Sequence, residues 1–251
     1  MEMKRDDVDL TARYWRWAGW GLLAAGAVLR LFRAWASRMS TDPDPAVAGL
    51  MAKHIAEGVD WPLFFYGQRY MGSLEPTLSA LLMKLTGNTG GFVLALGTGV
   101  AGWLALWVLW KWARVAAGEK GGAAAVLFAL TGPLTYFQFQ TGPRGGYMAA
   151  LALEGAMLWQ GAELGWRMWR GMKTEWWRFG VMGLCVGAGL WTNLNTAPFA
   201  GLAGAVVLLG MGGRFWKYRK ESWAAAGGVV LGAAPWLWDL CWRGGDRKSV
   251  V

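Results

Sequence analysis

Two carboxylates stand close together in residues 40–45, where Asp42 and Asp44 are each followed by a proline that fixes the backbone φ angle. A carboxylate among apolar walls is a stronger base than one in water, and a hydroxyl nucleophile needs such a base. Aspartate before proline is also common in ordinary loops, so a turn-forming role without chemistry stays open. The pair also suggests a divalent-cation site, but two ligands without a third make a weak one. We therefore predict no metal ligands and no certain cofactor, with a divalent cation as the alternative.

A predicted helix over residues 46–57 follows the two aspartates. Its polar residues Lys53, His54 and Glu57 share one side, which is typical of a helix that lies in the plane of a membrane interface. We predict that His54, the only histidine, belongs to this polar face, and a role as a base stays open because it lies near Asp44. The apolar side consists of Val47, Leu50, Met51 and Ile55.

A second polar group occupies residues 64–76, where aromatic rings, amides and a carboxylate alternate. Ser73 can cap a new helix that has Pro76 in its first turn. Glu75 then also lies in this first turn, where the helix dipole stabilises a carboxylate that has no catalytic role. A functional role for Glu75 is the alternative.

Membrane-spanning helices are the elements that must hold these polar segments. The chain is 55% hydrophobic and only 16% charged, so its apolar residues must fall into long blocks. A helix of about 20 apolar residues crosses a hydrocarbon layer of about 30 Å. The blocks cover residues 14–34, 85–110, 121–143, 145–162, 179–213 and 222–238. Because Asn193, Asn195 and Pro198 divide the longest block, the sequence predicts an all-α polytopic transmembrane helix bundle of about seven spans.

The basic residues predict the orientation of this bundle. The formal net charge is +9, and the Lys and Arg clusters within residues 1–16, 111–120, 167–178 and 214–220 all fall on the side of the N-terminus. Positive charge favours the cytoplasmic side. We therefore expect a multi-pass protein of the cytoplasmic membrane with a cytoplasmic N-terminus and a long first exoplasmic loop over residues 35–90. Membrane electrostatics explain the charge, so no nucleic-acid partner is predicted.

One acid and several glycines are notable inside the predicted spans. Glu154 lies in the middle of a span, where a carboxylate is unfavourable, so we expect it either to function or to pair with an arginine such as Arg30. Small residues let helices approach closely, and packing roles are predicted for a set of glycines. These are Gly183, Gly187, Gly189, Gly201 and Gly204.

Four motifs together resemble a known family. The first is the pair Asp-x-Ala-x-x-Gly-Leu-Met-Ala-Lys-His-Ile and Phe-Phe-Tyr-Gly-Gln-x-Tyr-Met-Gly-Ser-Leu-Glu, at residues 44–55 and 64–75. The others are Arg-Gly-Gly-Tyr at 144–147, Gly-Leu-Trp-Thr-Asn at 189–193 and Gly-Ala-Ala-Pro-Trp at 232–236. This set is similar to bacterial membrane glycosyltransferases of the GT-C class, relatives of the protein O-mannosyltransferases and of the lipid A aminoarabinose transferase. The resemblance covers roughly residues 15–240, and its first motif is the specific one.

The resemblance implies sugar transfer from a polyprenyl-phosphate donor to a lipid or glycan acceptor at the outer membrane face. The family's loop carboxylate matches Asp44, which becomes the general base, with Asp42 beside it as a second catalytic candidate. Arg144, with Arg69 behind it, would stabilise the departing phosphate. The remaining predicted substrate contacts are made by rings, amides and other polar groups. These are Tyr66, Gln68, Tyr70, Glu75, Tyr147, Asn193 and His54.

The chain departs from the family pattern at two positions, where Pro45 and Ala149 replace residues that are commonly acidic. The domain assignment is a GT-C-like transmembrane domain over residues 1–240 and a polar tail over 241–251 that resembles nothing in the family. We therefore expect the chain to be an N-terminal portion of a longer enzyme. Membrane lipids are expected partners. Two alternatives are a non-catalytic remnant of such an enzyme and a transporter, which would place polar groups near the bilayer midplane.

Overall fold

The computed structural model describes residues 5–39, 42–132 and 142–243, and within these ranges the chain is mostly helical with one antiparallel hairpin. The helices are α1 (Arg5–Ala36), α2 (Pro43–Glu57), α3 (Leu74–Thr86), α4 (Gly91–Leu130), α5 (Tyr147–Trp169), α6 (Trp176–Thr192), α7 (Ala197–Met211), α8 (Arg219–Gly232) and α9 (Ala234–Arg243). The strands are β1 (Phe64–Phe65) and β2 (Gln68–Gly72), and two 3₁₀ turns cover Leu194–Thr196 and Phe215–Tyr218. Most of the predicted polar tail, residues 244–251, lies outside the described residues.

Helix α4 is folded back on itself. Its helical geometry is broken at Ala117 and Gly118, and Gly118 has φ 68°, a left-handed conformation that favours glycine. A Cβ atom placed on Gly26 of α1 would lie 2.9 Å from Leu106 and 3.3 Å from Leu130. A straight helix would hold Leu106 and Leu130 about 36 Å apart. The two arms of α4 are therefore antiparallel, as the charged interruption between the predicted blocks 85–110 and 121–143 indicates.

Two of the described helical segments are long and apolar enough to cross a membrane, Gly91–Leu130 and Leu194–Met211. A third is added if Phe215–Gly232 and Ala234–Cys241, which are bent by 62° at their junction, count as one broken span. Helix α6 has 17 residues and is about 26 Å long, somewhat shorter than the hydrocarbon layer. The chain is thus consistent with a membrane protein, and the count of seven spans stays a prediction.

The helices pack as a chain of pairs, α1 on α4, α4 on α5, α5 on α7 and α6 on α8. The closest pair is α6 with α8, where a Cβ on Gly183 or Gly187 would lie 2.1 Å from a backbone oxygen of the other helix. Small residues therefore let the two backbones touch, as predicted. Gly189 also packs closely, because its Cβ would lie 2.5 Å from Met157. The same prediction is wrong for Gly201 and Gly204, since no described atom lies within 4 Å of a Cβ there.

The first loop is a folded unit in which α2 and the hairpin pack together and α2 also packs on α3. Helix α2 begins at Pro43, earlier than predicted, because the Asp42 carboxylate caps it by accepting a hydrogen bond from the backbone N–H of Asp44 at 3.3 Å. Its apolar side is covered by protein and is not left bare for a membrane interface, since Met51 is fully buried. Leu50 was predicted on this side and is instead 48% exposed. Helix α3 begins beside Ser73 as predicted, although that side chain makes no cap hydrogen bond.

Candidate functional site

Three of the predicted motifs meet at one end of the bundle. Met71 of the hairpin pairs with Asn193, at the end of α6, in an isolated antiparallel bridge. The Trp191 indole N–H donates to the Leu63 carbonyl at 2.9 Å. Gly72 lies directly against Trp191, because a Cβ there would be 2.7 Å from the Trp191 backbone oxygen. We call this region, formed by the hairpin, the turn before α5 and the end of α6, the loop end.

The turn before α5 depends on its two glycines. Gly145 and Gly146 have φ values of 80° and 81°, a left-handed conformation that side chains disfavour. Gly145 also lies against Met71, where a Cβ would be 2.6 Å from the terminal methyl group. The Gly-Gly pair therefore lets the turn reach the hairpin and places Arg144 and Tyr147 on either side of it. The backbone conformation and the close packing of the turn therefore account for glycine at both positions, and no contact with a ligand is needed to explain them.

A cavity of about 410 Å³ lies beside this turn. Its walls come from the end of α1, the starts of α2 and α4, and the turn before α5. Three guanidinium groups and one carboxylate line it, Arg33, Arg38, Arg144 and Asp42. The wall at Gly91 is the N-terminus of α4, where backbone N–H groups carry partial positive charge. The cavity therefore favours an anion.

Asp42 and Arg144 form an ion pair at the edge of the cavity although they are 102 positions apart in the sequence. Their side chains are 31% and 35% exposed, so the pair is partly open to solvent. Asp42 thereby has two roles, because it caps α2 and also holds Arg144 toward the cavity. The structure thus brings together two of the predicted site residues.

Sequence reasoning missed two of the cavity's arginines, Arg33 and Arg38. The buried Nε atom of Arg33 has no hydrogen-bond partner among the described residues. Arg38 donates to the Trp35 carbonyl at 2.6 Å and lies 4.3 Å from the centre of the Trp35 ring. A signal for them exists in the sequence, since basic residues at the end of the predicted first span, on the side predicted to be exoplasmic, run against the usual charge bias.

Asp44 does not line the cavity. It is exposed in the first turn of α2, and its carboxylate forms no ion pair within the described part of the chain. Its backbone N–H is bound by Asp42. Asp44 is therefore adjacent to the cavity wall and open to a molecule that approaches from solvent.

Glu75 is buried in the first turn of α3. Its exposed fraction is 1%, and its Oε1 atom accepts a hydrogen bond from the Thr98 hydroxyl at 2.8 Å. Burial raises the pKa of Glu75 from 4.5 to about 7, and the hydrogen bonds from Thr98 and from the backbone N–H groups of Ala149 and Met148 oppose this increase. Glu75 therefore joins α3, α4 and the start of α5, and it lies outside the anion cavity.

A polar network lies on the outer side of α2. The Nδ1 atom of His54 and the hydroxyl oxygen of Tyr66 are 2.8 Å apart, and the Tyr66 hydroxyl donates to Asp60 at 3.3 Å. Partial burial, followed by the charge and hydrogen bond of Asp60, raises the pKa of the Tyr66 hydroxyl. Asp60 was not predicted from the sequence. The network holds the Tyr66 ring, and none of its members lines the cavity.

The other predicted contacts are spread over the loop end. Tyr70 and Tyr147 are 59% and 44% exposed, and Gln68 is half-buried. Asn193 is buried and accepts a hydrogen bond from the Asn195 N–H at 3.0 Å, which gives it a structural role in the turn after α6. The backbone of Arg69 lies in β2, and its side chain lies outside the described part of the structure.

Three other features bear on the alternatives. Within the ranges that the structure describes, no group of three or more His, Cys, Asp or Glu side chains could hold a metal ion. Glu154 is 9% exposed and lines a cavity of about 140 Å³ whose other walls are apolar. No ion pair joins it to Arg30 in the described residues, so the pairing predicted as its alternative role is not found. Pro45 and Ala149 are buried, which suits apolar residues at these positions.

No protein-family model matches this chain, and no curated protein or solved structure is significantly similar to it. The loop end, where three of the four motifs meet, is thus the feature from which a function can be assigned.

Proposed function

We propose that this protein is a membrane glycosyltransferase that takes a sugar from a polyprenyl-phosphate donor and works at the exoplasmic face. The observation that carries the proposal is the anion cavity, in which Arg33, Arg38 and Arg144 surround a space next to the end of α1. A phosphate leaving group needs positive charge more than it needs a proton. A cavity with three guanidinium groups supplies that charge where a lipid phosphate would lie.

The proposal gives the two aspartates different roles. Asp44 is the general base for the acceptor hydroxyl, since the motif at residues 44–55 resembles the family's loop carboxylate and the exposed Asp44 side chain is open to an acceptor. Asp42 is a positioning residue, because it holds Arg144 at the cavity and caps the helix that carries Asp44. The exposed ring of Tyr70 is placed to stack on a sugar or an isoprenoid.

The proposed topology has seven spans and a cytoplasmic N-terminus. Helix α5 has the length of one of these spans, since its 23 residues extend about 34 Å, close to the thickness of the hydrocarbon layer. The loop end lies at its first residue, and Arg167 lies in its last turn. The chain would thus present the anion cavity on one side of the membrane and its basic loops on the other. The membrane would be the cytoplasmic membrane.

The test is transfer of labelled sugar from polyprenyl-phosphate donors in membranes that contain the full chain. We expect Asp44→Asn to abolish transfer while binding of sugar-free polyprenyl phosphate persists. Arg144→Gln should lower kcat about 100-fold, as loss of one group that stabilises developing negative charge does. Asp42→Asn should weaken binding of the polyprenyl phosphate. The matched control is Glu57→Gln, an exposed acid on the same helix, which should transfer normally.

Three outcomes would count against the proposal in different ways. If the inserted wild type uses no donor and binds no polyprenyl phosphate, the glycosyltransferase function is wrong. If it binds the lipid but transfers nothing, the chain behaves as the non-catalytic alternative. If Asp44→Asn transfers normally, the base is another residue.

A further inference from the structure

Two further cavities lie at the opposite end of the bundle, which we call the kink end because the break at Ala117 and Gly118 lies there. One cavity of about 480 Å³ has charged and aromatic walls, and the other, of about 570 Å³, is mainly apolar. Val115 and Trp166 line both, so the two spaces are neighbours. Together they form an amphipathic site between α4, α5 and α7.

The polar cavity carries excess positive charge. Its two carboxylates are each held by two arginines, Glu119 by Arg114 at 2.5 Å and Arg16 at 3.1 Å. Glu163 is held by Arg178 at 2.5 Å and Arg167 at 3.2 Å. The carboxylates are therefore already neutralised by the protein. The charged groups that line the cavity are Lys111, Arg114 and Arg167 against Glu119 and Glu163, so an anion that entered it would meet an excess of positive charge.

Lys111 is the cation placed to bind such an anion. Lys111 lines the polar cavity, and its Nζ atom forms no ion pair with a carboxylate among the described residues. Three indole rings surround it, with Nζ 5.4 Å from the centre of Trp107, 5.8 Å from Trp110 and 5.3 Å from Trp159. Cation–π contacts orient an ammonium group but leave it able to donate hydrogen bonds to a phosphate.

The apolar cavity fits the other half of a lipid. It opens between Trp166, Trp169 and the exposed face of α7, where Leu209 is 78% exposed. Its walls belong to helical segments that include two with the length and composition of membrane spans. Acyl chains of the bilayer are the apolar groups that such a surface meets. A headgroup phosphate at Lys111 would direct them into this cavity.

We infer that the kink end holds one anionic phospholipid, with its headgroup phosphate at Lys111 and an acyl chain in the apolar cavity. Basic pockets between helices at a membrane surface bind anionic headgroups in this way. The inference requires the chain to lie in a membrane, and it does not depend on sugar transfer. The bound lipid would tie α4, α5 and α7 together at the end opposite the loop end.

The experiment is native mass spectrometry of the full chain purified in detergent and supplied with phosphatidylglycerol or with phosphatidylcholine of the same acyl chains. The wild type should retain one phosphatidylglycerol in preference to phosphatidylcholine. Lys111→Gln should lower that retention about fivefold, the usual effect of one lysine near an anionic lipid surface. Lys111→Arg should keep most of it. Lys173→Gln, which removes an exposed lysine outside both cavities, should change nothing.

Further arms separate this site from other sources of binding. Arg33 lines the anion cavity at the loop end. If Arg33→Gln lowers lipid retention, the lipid binds in that cavity and the inference is overturned. If inorganic phosphate binds as tightly as the lipid, the site recognises phosphate alone and the inference of a lipid site is overturned. Equal retention of the two lipids by the wild type would refute the inference without any variant. Failed sugar transfer has no bearing on these outcomes.

Discussion

The buried carboxyl group of Glu75 predicts an unusual dependence of stability on pH. Burial raises its pKa from 4.5 to about 7, so the folded protein favours the protonated form. The contribution of such a carboxyl group to the free energy of unfolding is fully present below pH 4.5. It is lost as the pH rises through 7. The difference between the two pKa values corresponds to roughly 3 kcal/mol in the free energy of unfolding. Glu75 lies in α3, outside the segments that are long and apolar enough to cross a membrane.

The test compares wild type with Glu75→Gln, which can still accept the Thr98 hydrogen bond but cannot ionise. Unfolding of the purified chain in detergent is followed by tryptophan fluorescence from pH 5 to pH 8. The wild type should become less stable than Glu75→Gln as the pH rises, by roughly 3 kcal/mol at most above pH 7 and by little near pH 4.5.

Glu57→Gln is the control for this experiment, because it removes an exposed carboxylate of the same loop. Its stability should run parallel to that of the wild type, since an exposed ion pair such as the one Glu57 forms with Lys53 contributes little. If the free energy of unfolding of Glu75→Gln also changes with pH as that of the wild type does between pH 5 and pH 8, Glu75 is ionised throughout. The reasoning from its burial is then refuted.

Three further substitutions test the packing and the polar network. Gly187→Leu should destabilise the chain by at least about 2 kcal/mol, because its Cβ would meet a backbone oxygen of α8 at 2.1 Å. Gly201→Leu, at an open position of α7, should leave the unfolding midpoint unchanged or slightly raised, and equal losses in both variants would contradict the packing scheme. Tyr66→Phe removes the hydrogen bonds to Asp60 and His54 and should cost about 1 kcal/mol in the same unfolding assay. An unchanged midpoint would show that this network does not stabilise the loop.

Local sequence signals predicted much of the fold. The charged residues between the two apolar blocks of α4 indicated that the chain reverses direction there. Gly118 supplies the left-handed conformation of that turn. The start of α3 at Ser73 and Pro76 was predicted because caps and first-turn prolines act within one turn of helix. The glycines at 183 and 187 were predicted to pack because spacing along one helix face is visible in the sequence. Each of these signals acts over a few residues.

The sequence by itself determined that the chain is helical, that some of its helices suit a membrane, and that polar motifs cluster in the first loop and at helix ends. Only the tertiary structure decided which of these residues share a cavity. Asp42 meets Arg144 across 102 positions, and Arg33 and Arg38 join them because the end of α1 lies beside the starts of α2 and α4. The same packing turns Leu50 outward and buries Glu75. Such contacts depend on how whole helices are placed against one another, and no local pattern of residues encodes that placement.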